Sequence, residues 1–425
     1  MDTGLTEPAA AETYLPLRKV LAVGAGNALD FYDFVTFSFF AVQIGHCFFP
    51  AGTTKNGLLY SLATFGVGFL TRPLGAVVIG IYADRAGRRA AMVLSFSLMG
   101  AAITGLALTP SYTRIGVAAP LLLVLFRLLQ GFALGGEVGP STAYLIEVAP
   151  PLKRGLYVAL QYATQDLAVL AAGLVGFTLA NALDAASLDA WGWRVAFLLG
   201  ACIVPMGVLM RRNLPETFTA EAPAARRAAK FPLRTVVLGV MMIAAAVTTN
   251  YGLDYMTTFA QDSLHMAANT AFGATVVLGL VQFCSDLSSG LLSDRFGRKP
   301  VMVMASGLLL VLVVPAYLAM IYRPGVAALY GATAVLGMLQ SLATGPALIT
   351  ITELLPRSAR SAVLGTIYAV GATVFGSVTQ FNIKWIIDAT GSHLAPAWYI
   401  AAAVCVGLAA MMVVKETAPV KAGLG

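Results

Sequence analysis

Arg127, Gln130 and Glu137 stand three and ten residues apart, spacings that a helix turns onto one stripe within about 80°. The stripe offers a fixed cation, an amide and a titratable carboxylate. A planar guanidinium donates two parallel hydrogen bonds to a carboxylate and stays protonated when buried, so the chemistry is the anchoring of an organic anion beside a group that can take a proton. Asp30 and Asp33, three apart, share a face of an earlier stretch and can hold protons or neutralise Arg127. A carboxylate shared between Arg127 and an incoming anion changes protonation as the anion arrives, which is coupling in chemical terms. Two readings stand: Arg127 meets the substrate, or it is permanently paired with Asp30 or Asp33.

Further candidates lie along the chain. Asp166 has Tyr162 one turn earlier, and Asp286 has Gln282 one turn earlier; both read as proton-coupling groups. Asp254 falls nearer an outer membrane face and reads as a solvated entrance residue. Arg72, Gln161, Gln165, Asn250 and Tyr368 are candidate substrate contacts, with Thr248, Thr249, Gln380 and Asn382 as further neutral donors. Such polar residues also serve as ordinary helix-packing glue. Lys384 and His46 sit towards outer ends, and the aromatic runs Phe37 to Phe40 and Phe48-Phe49 are expected to face lipid or its interface.

These residues must be positioned by membrane-spanning helices. The chain of 425 residues is 58% hydrophobic and 11% charged, against roughly 25% charged residues in a soluble domain; its mean hydropathy is +0.81. Apolar stretches of about 20 residues predict twelve spans, near 18–46, 56–82, 90–109, 117–148, 155–183, 193–211, 234–260, 267–291, 300–321, 325–353, 360–387 and 396–414. With both termini inside, about 20 of the 27 basic residues fall on cytoplasmic segments and about five outside. The expected organisation is a cytoplasmic tail (1–17), a six-helix bundle (18–211), a cytoplasmic linker (212–233), a second six-helix bundle (234–414) and a cytoplasmic tail (415–425). The first apolar run is too long for a signal-peptide core. The net charge of +7 collects beside spans where anionic headgroups lie and calls for no nucleic acid. Cys47, Cys202, Cys284 and Cys405 have no metal-binding or redox spacing and read as small packing residues, so neither a metal nor a disulfide is expected.

Two signatures repeat about 210 positions apart. Gly80-Ile-Tyr-Ala-Asp84-Arg85-Ala-Gly87-Arg88-Arg89 returns as Gly290-Leu-Leu-Ser-Asp294-Arg295-Phe-Gly297-Arg298-Lys299, and Glu147 to Arg154 returns as Glu353 to Arg360 with the pattern E-x-x-P-x-x-x-R. The glycines allow close approach and sharp turns, while the Asp and Arg residues can pair across helix ends as a latch that breaks and reforms; the basic residues also set topology. The repeated loop closely resembles that of the major facilitator superfamily. Arg127-Leu-Leu-Gln130-Gly131-Phe-Ala-Leu-Gly135-Gly136-Glu137, Trp191-Gly-Trp193-Arg194 and the Gly24 to Phe34 segment are similar to the metabolite:proton symporter family. Within it, Phe69-Leu-Thr-Arg72-Pro73, Ala347 to Glu353 and Val374-Phe-Gly-Ser most resemble citrate and tricarballylate proton symporters. The chain departs from that pattern at Thr249-Asn250 to Asp254 and at Gln161 to Asp166, each departure adding a carboxylate near the pathway.

The resemblance implies an all-α integral-membrane protein of twelve helices in two pseudo-symmetric six-helix bundles, with a central cavity open alternately to either side. It also implies a multi-pass protein of the plasma (inner) membrane, working as a monomer, with protons as coupling ion and no cofactor; sodium is not excluded by the residues. Importing a trivalent anion into a negative interior costs roughly 7 kcal/mol per 100 mV, which co-moving protons cancel. The expected function is import of a small organic anion, citrate or a related tricarboxylate, by proton symport. The alternatives are a proton symporter for a dicarboxylate, 2-oxoglutarate, a shikimate-like acid or a betaine-like osmolyte. An integral-membrane enzyme is disfavoured, since His46, His265 and His393 form no cluster in the sequence.

Overall fold

The computed structural model describes residues 28, 31–49, 54–86, 88–135, 142, 145–146, 149–212, 233–356 and 360–421. Among these, twelve long helices follow one another. In the first half they are α1 (31–48), α2 (Thr54–Leu70 and Arg72–Ala86, broken at Thr71), α3 (Arg88–Leu108), α4 (Ala118–Leu134), α5 (Arg154–Ala182) and α6 (Trp193–Arg212). In the second they are α7 (Leu233–Asp254 and Met256–Asp262), α8 (Ala268–Phe296), α9 (Arg298–Tyr322), α10 (Val326–Leu354), α11 (Arg360–Val370 and Ser377–Thr390, joined by a π-turn at Gly371–Gly376) and α12 (Ala395–Val413). Eight stretches among the described residues are long and apolar enough to cross a membrane, and α3 and α4 contribute shorter apolar segments.

The distribution of polarity is that of a protein dissolved in lipid. Leu70, Leu121, Leu125, Met304 and Val311 are exposed, while Asp33, Arg127, Asp166, Asp254 and Asp286 are buried. Without water in the hydrocarbon layer, a charge is tolerated only where the bundle interior supplies partners. The aromatic runs expected at the lipid face are instead inside: Phe37, Phe39, Phe40 and Phe48 are fully buried. Phe40 packs at a tilt against Phe272 at 4.7 Å and Phe48 edge-on against Trp193 at 5.6 Å, because apolar area between helices is filled by large rings. Cys202, Cys284 and Cys405 depart from their expected packing role in the opposite sense and are exposed free thiols.

The two halves meet along α5 with α8, and along α2 with α11, two contacts related by a shift of six helices. The α5–α8 seam is close because it is lined by glycines. A Cβ on Gly290 would stand 2.8 Å from the Gly155 carbonyl oxygen and 2.8 Å from the Leu156 Cα, and one on Gly279 would stand 2.7 Å from the Leu170 Cα. Cross-half hydrogen bonds also form from Gln43 on α1 to Gln261 on α7 (2.9 Å) and from Gln380 on α11 to Ser38 on α1 (2.6 Å).

Candidate functional site

Arg127 is brought to its surroundings by the α2–α4 contact, in which a Cβ on Gly131 would meet the Thr71 Oγ1 at 2.7 Å. Its guanidinium is 0% exposed and lies over the rings of Phe34, Phe37 and Phe65 at 4.9, 4.4 and 5.4 Å. Arg127 Nη1 donates to Gln130 Oε1 (2.6 Å), Nη2 to the Phe65 carbonyl (3.3 Å), and Gln130 Nε2 donates onward to Asp33 Oδ2 (2.6 Å). Arg127 and Gln130 of the expected stripe thus form a relay from cation through amide to the carboxylate of Asp33, while Glu137 lies outside the described residues. It is walled by phenylalanines from α1 and α2, and Arg127 does not line the central cavity.

That cavity lies beside the α5–α8 seam and draws its wall from both halves. Gln165 and Asp166 of α5 face it with Asn250 and Tyr251 of α7, Gln282 and Asp286 of α8, Gln340, Ser341 and Thr344 of α10, and Tyr368 of α11. Five of the sequence candidates, Gln165, Asp166, Asn250, Asp286 and Tyr368, therefore share one wall. Asp166 and Asp286 stand within side-chain hydrogen-bond reach of each other, and Asp286 within reach of Ser341. Gln282 donates to Asn250 (3.2 Å), whose amide points at Asp254 Oδ2 (3.5 Å). Asp254, expected at a wet entrance, is 1% exposed. Gln161 is buried on α5 outside the lining.

Arg72 is one layer behind the cavity. Its guanidinium stacks on Phe69 and Phe34 at 4.1 and 4.5 Å and reaches the Tyr251 side chain, which does line the wall. Lys384 is held by Asp262 (2.8 Å) and Asp388 (2.7 Å), and His46 pairs with Asp189 (2.9 Å), so both are occupied. Tyr251, Gln340, Ser341 and Thr344 were not singled out as contacts by sequence reasoning. Tyr251 carried a signal, since it follows Asn250 directly; the α10 residues carried none beyond ordinary helix polarity.

At the end of the bundle expected to be cytoplasmic, the second copy of the repeated loop is assembled. Asp294 accepts the backbone N–H of Gly155 (2.9 Å) and Leu156 (3.1 Å) at the start of α5, placing a carboxylate on a helix N-terminus of the other half. Arg298 is fully buried and pairs with Asp294 (2.6 Å) and Glu353 (3.4 Å). Gly297 adopts φ +102°, a conformation that favours glycine, and Arg360 donates to the Thr352 and Leu355 carbonyls at the end of α10. Arg295 is exposed against Phe296, and Arg154 opens α5 half-buried. Glu416, beyond α12, accepts the backbone N–H groups of Arg298 (2.9 Å) and Lys299 (3.0 Å). Burial pushes its carboxyl up, but these and the Thr417 and Ala418 N–H groups outweigh that and hold it below the ordinary carboxylate range. Asp30, Gly87, Glu137 and Glu147, and the side-chain surroundings of Gly80, Asp84, Arg85 and Arg88, lie outside the described residues.

Comparison with known proteins bears on what this cavity serves. The sequence profile of the Major Facilitator Superfamily matches residues 34–378. The citrate-proton symporter of Klebsiella pneumoniae is 34% identical over 399 residues, 92% of this chain and 90% of that protein. The alpha-ketoglutarate permease of Escherichia coli (strain K12) is 31% identical over 405 residues, covering 94% and 93%. The proline/betaine transporter of the same strain is 29% identical over 423 residues, covering 95% and 84%. In fold, the crystal structure of a D-xylose-proton symporter superposes with a TM-score of 0.78 at 17% identity, covering 95% of this chain and 98% of that one.

Proposed function

Because the chain belongs to the major facilitator superfamily and is a multi-pass transporter rather than an enzyme, we propose that it imports a small organic acid, citrate or a related tricarboxylate, by proton symport. The cavity beside the α5–α8 seam is the binding site. One observation carries the reading: carboxyls from both halves face a polar cavity, while a guanidinium, Arg72, stands behind one of its tyrosines. An acid entering there meets Tyr251 and Tyr368 as neutral donors, with the positive field of Arg72 behind them. Arg127, joined to Asp33 through Gln130, acts as the fixed charge that holds α1, α2 and α4 together, and Asp33 balances it. The carboxyls of the cavity take the coupling protons. The halves, 18–211 and 234–414, rock about the seam as the Asp294–Arg298–Glu353 latch opens and closes. Both termini are cytoplasmic, the membrane is the plasma (inner) membrane, and a single chain suffices.

A second reading rests on the same wall. The described lining residues include two aspartates and three tyrosines and no Lys or Arg, a setting that also suits the ammonium end of a betaine-like solute. The deciding experiment is uptake of radiolabelled citrate into proteoliposomes under an inward proton gradient, with unlabelled tricarballylate, succinate, 2-oxoglutarate, shikimate and betaine as competitors. Gradient-dependent citrate accumulation abolished by a protonophore supports the tricarboxylate reading. Uptake driven by sodium alone removes the proton, and uptake of betaine without citrate moves the substrate.

A further inference from the structure

The α5–α8 seam holds an arrangement that proton coupling in general does not require. Asp166 comes from one half and Asp286 from the other, 7% and 1% exposed, and their side chains lie within hydrogen-bond reach. Two ionised carboxylates offer four acceptor oxygens and no donor, so a bond between them needs one proton held in common. The flanking helices fix the spacing: α5 and α8 are in backbone contact on one side of the pair at Gly155 and Gly290, and on the other at Leu170 and Gly279. Among the described residues around the pair there is no compensating ammonium. Facing the pair are Tyr162 on α5, Asp254 and Tyr251 on α7, Ser341 on α10 and Tyr368 on α11, with Arg72 of α2 reached only through Tyr251.

We propose that Asp166 and Asp286 share a single proton across the seam, and that this proton is both the coupling ion and the bond that keeps the halves joined at mid-membrane. The inference rests on the reading of the chain as a proton-coupled transporter, and it assigns the coupling to this pair rather than to Asp33. With the proton in place the pair carries one negative charge and α5 stays on α8. When the proton leaves to the cytoplasm two negative charges face each other in a water-poor cavity, and the helices separate. A proton taken from the outer solution then restores the bond. Release of the proton and parting of the seam are thus one event, and each cycle carries one proton through the pair.

The test needs no substrate, so it succeeds or fails independently of what is transported. Spin labels are placed at Leu152, exposed in the turn leading into α5, and at Phe296, exposed at the end of α8, in a background with Cys47, Cys202, Cys284 and Cys405 replaced. The distance between them is measured in the purified, monodisperse protein as pH is raised. The wild-type pair is expected to shift from one short distance towards a longer one. In Asp166→Asn and Asp286→Asn the carboxamide donates to the remaining carboxylate without a proton, so both variants are expected to stay at the short distance at every pH. In proteoliposomes, with the seam held closed, they are further expected to lose both gradient-driven accumulation and substrate exchange. A wild-type distance indifferent to pH, or Asn variants that open with rising pH as the wild type does, overturns the proposal.

Discussion

Arg127→Gln should damage the protein through Asp33 rather than through the substrate. The guanidinium is fully buried, bonded at 2.6 Å to Gln130, which is bonded at 2.6 Å to Asp33, itself 1% exposed with Oδ1 unpartnered. Removing one member of a buried ion pair costs about 3–5 kcal/mol, because the other charge is stranded. The amide between the charges places this pair at the lower end, while loss of stacking over three rings adds about 1–2 kcal/mol. Arg127→Gln should therefore destabilise by about 4 kcal/mol. Replacing Asp33 by Asn in the same chain removes the stranded charge, so the double variant should recover about 2–3 kcal/mol of that loss. The assay is a double-mutant cycle on unfolding of the four purified proteins, followed by uptake. Recovery of both stability and uptake in the double variant fits a structural pair. Wild-type stability in Arg127→Gln, or a double variant whose loss equals the sum of the singles, refutes the reasoning; a stable double variant without substrate affinity returns Arg127 to the role of anion anchor.

Gly290→Ala should push α5 and α8 apart by about 0.6 Å, the gap between 2.8 Å to the Gly155 oxygen and an ordinary contact; the overpacking costs about 1–3 kcal/mol and should slow transport measured as initial uptake. Arg72→Lys keeps the charge but loses the planar fork and its stacking on Phe34 and Phe69, so the apparent KM should rise about tenfold with kcat little changed; an unchanged KM would separate Arg72 from the substrate. Glu416→Gln should loosen the segment after α12 from the start of α9. The folded carboxyl titrates below its ordinary 4.5, so its stabilisation is complete above that pH and is lost as pH falls through the folded value. The difference in unfolding midpoint between wild type and Glu416→Gln should accordingly be present near neutrality and vanish in acid.

What was legible in the sequence followed from charge being rare in lipid. Asp166 and Asp286 stand out in apolar runs, and both face the cavity. The second copy of the repeated loop, marked by its spacing, gathers Asp294, Arg298 and Glu353 within hydrogen-bond distance. The placement of Arg127 was not legible, because its seclusion depends on Phe34 and Phe37 of α1 and Phe65 of α2 closing over it, and no pattern within α4 encodes rings contributed by other helices. For the same reason Phe37, Phe39 and Phe40 read as lipid-facing: an aromatic run is apolar on every side, and only the tertiary packing decides between lipid and protein. Ser341 and Thr344 carried no charge to distinguish them from the many hydroxyls that bond back to their own helix, as Thr350 and Thr352 do.

The duplication itself explains why the cavity has two unlike sides. A shift of six helices turns the α5–α8 contact into the α11–α2 contact, and both are close: in the second, a Cβ on Gly66 would run into the backbone of Ser377, and Thr373 reaches the Phe69 carbonyl at 3.4 Å. The geometry was kept while the contents diverged. The α5–α8 seam carries Asp166 and Asp286, whereas the α2–α11 side carries Arg72 on α2 and Tyr368 on α11. A cavity bounded by an acidic seam and a basic one has a built-in polarity, and in the proposed function an anion drawn to the Arg72 side would leave the acidic side free to hold a proton. Putting both charges on one side would let Arg72 neutralise the carboxyls directly and remove their need for a proton. On the proposed reading, keeping them on separate seams with Tyr251 between would let the anion and the proton be bound together.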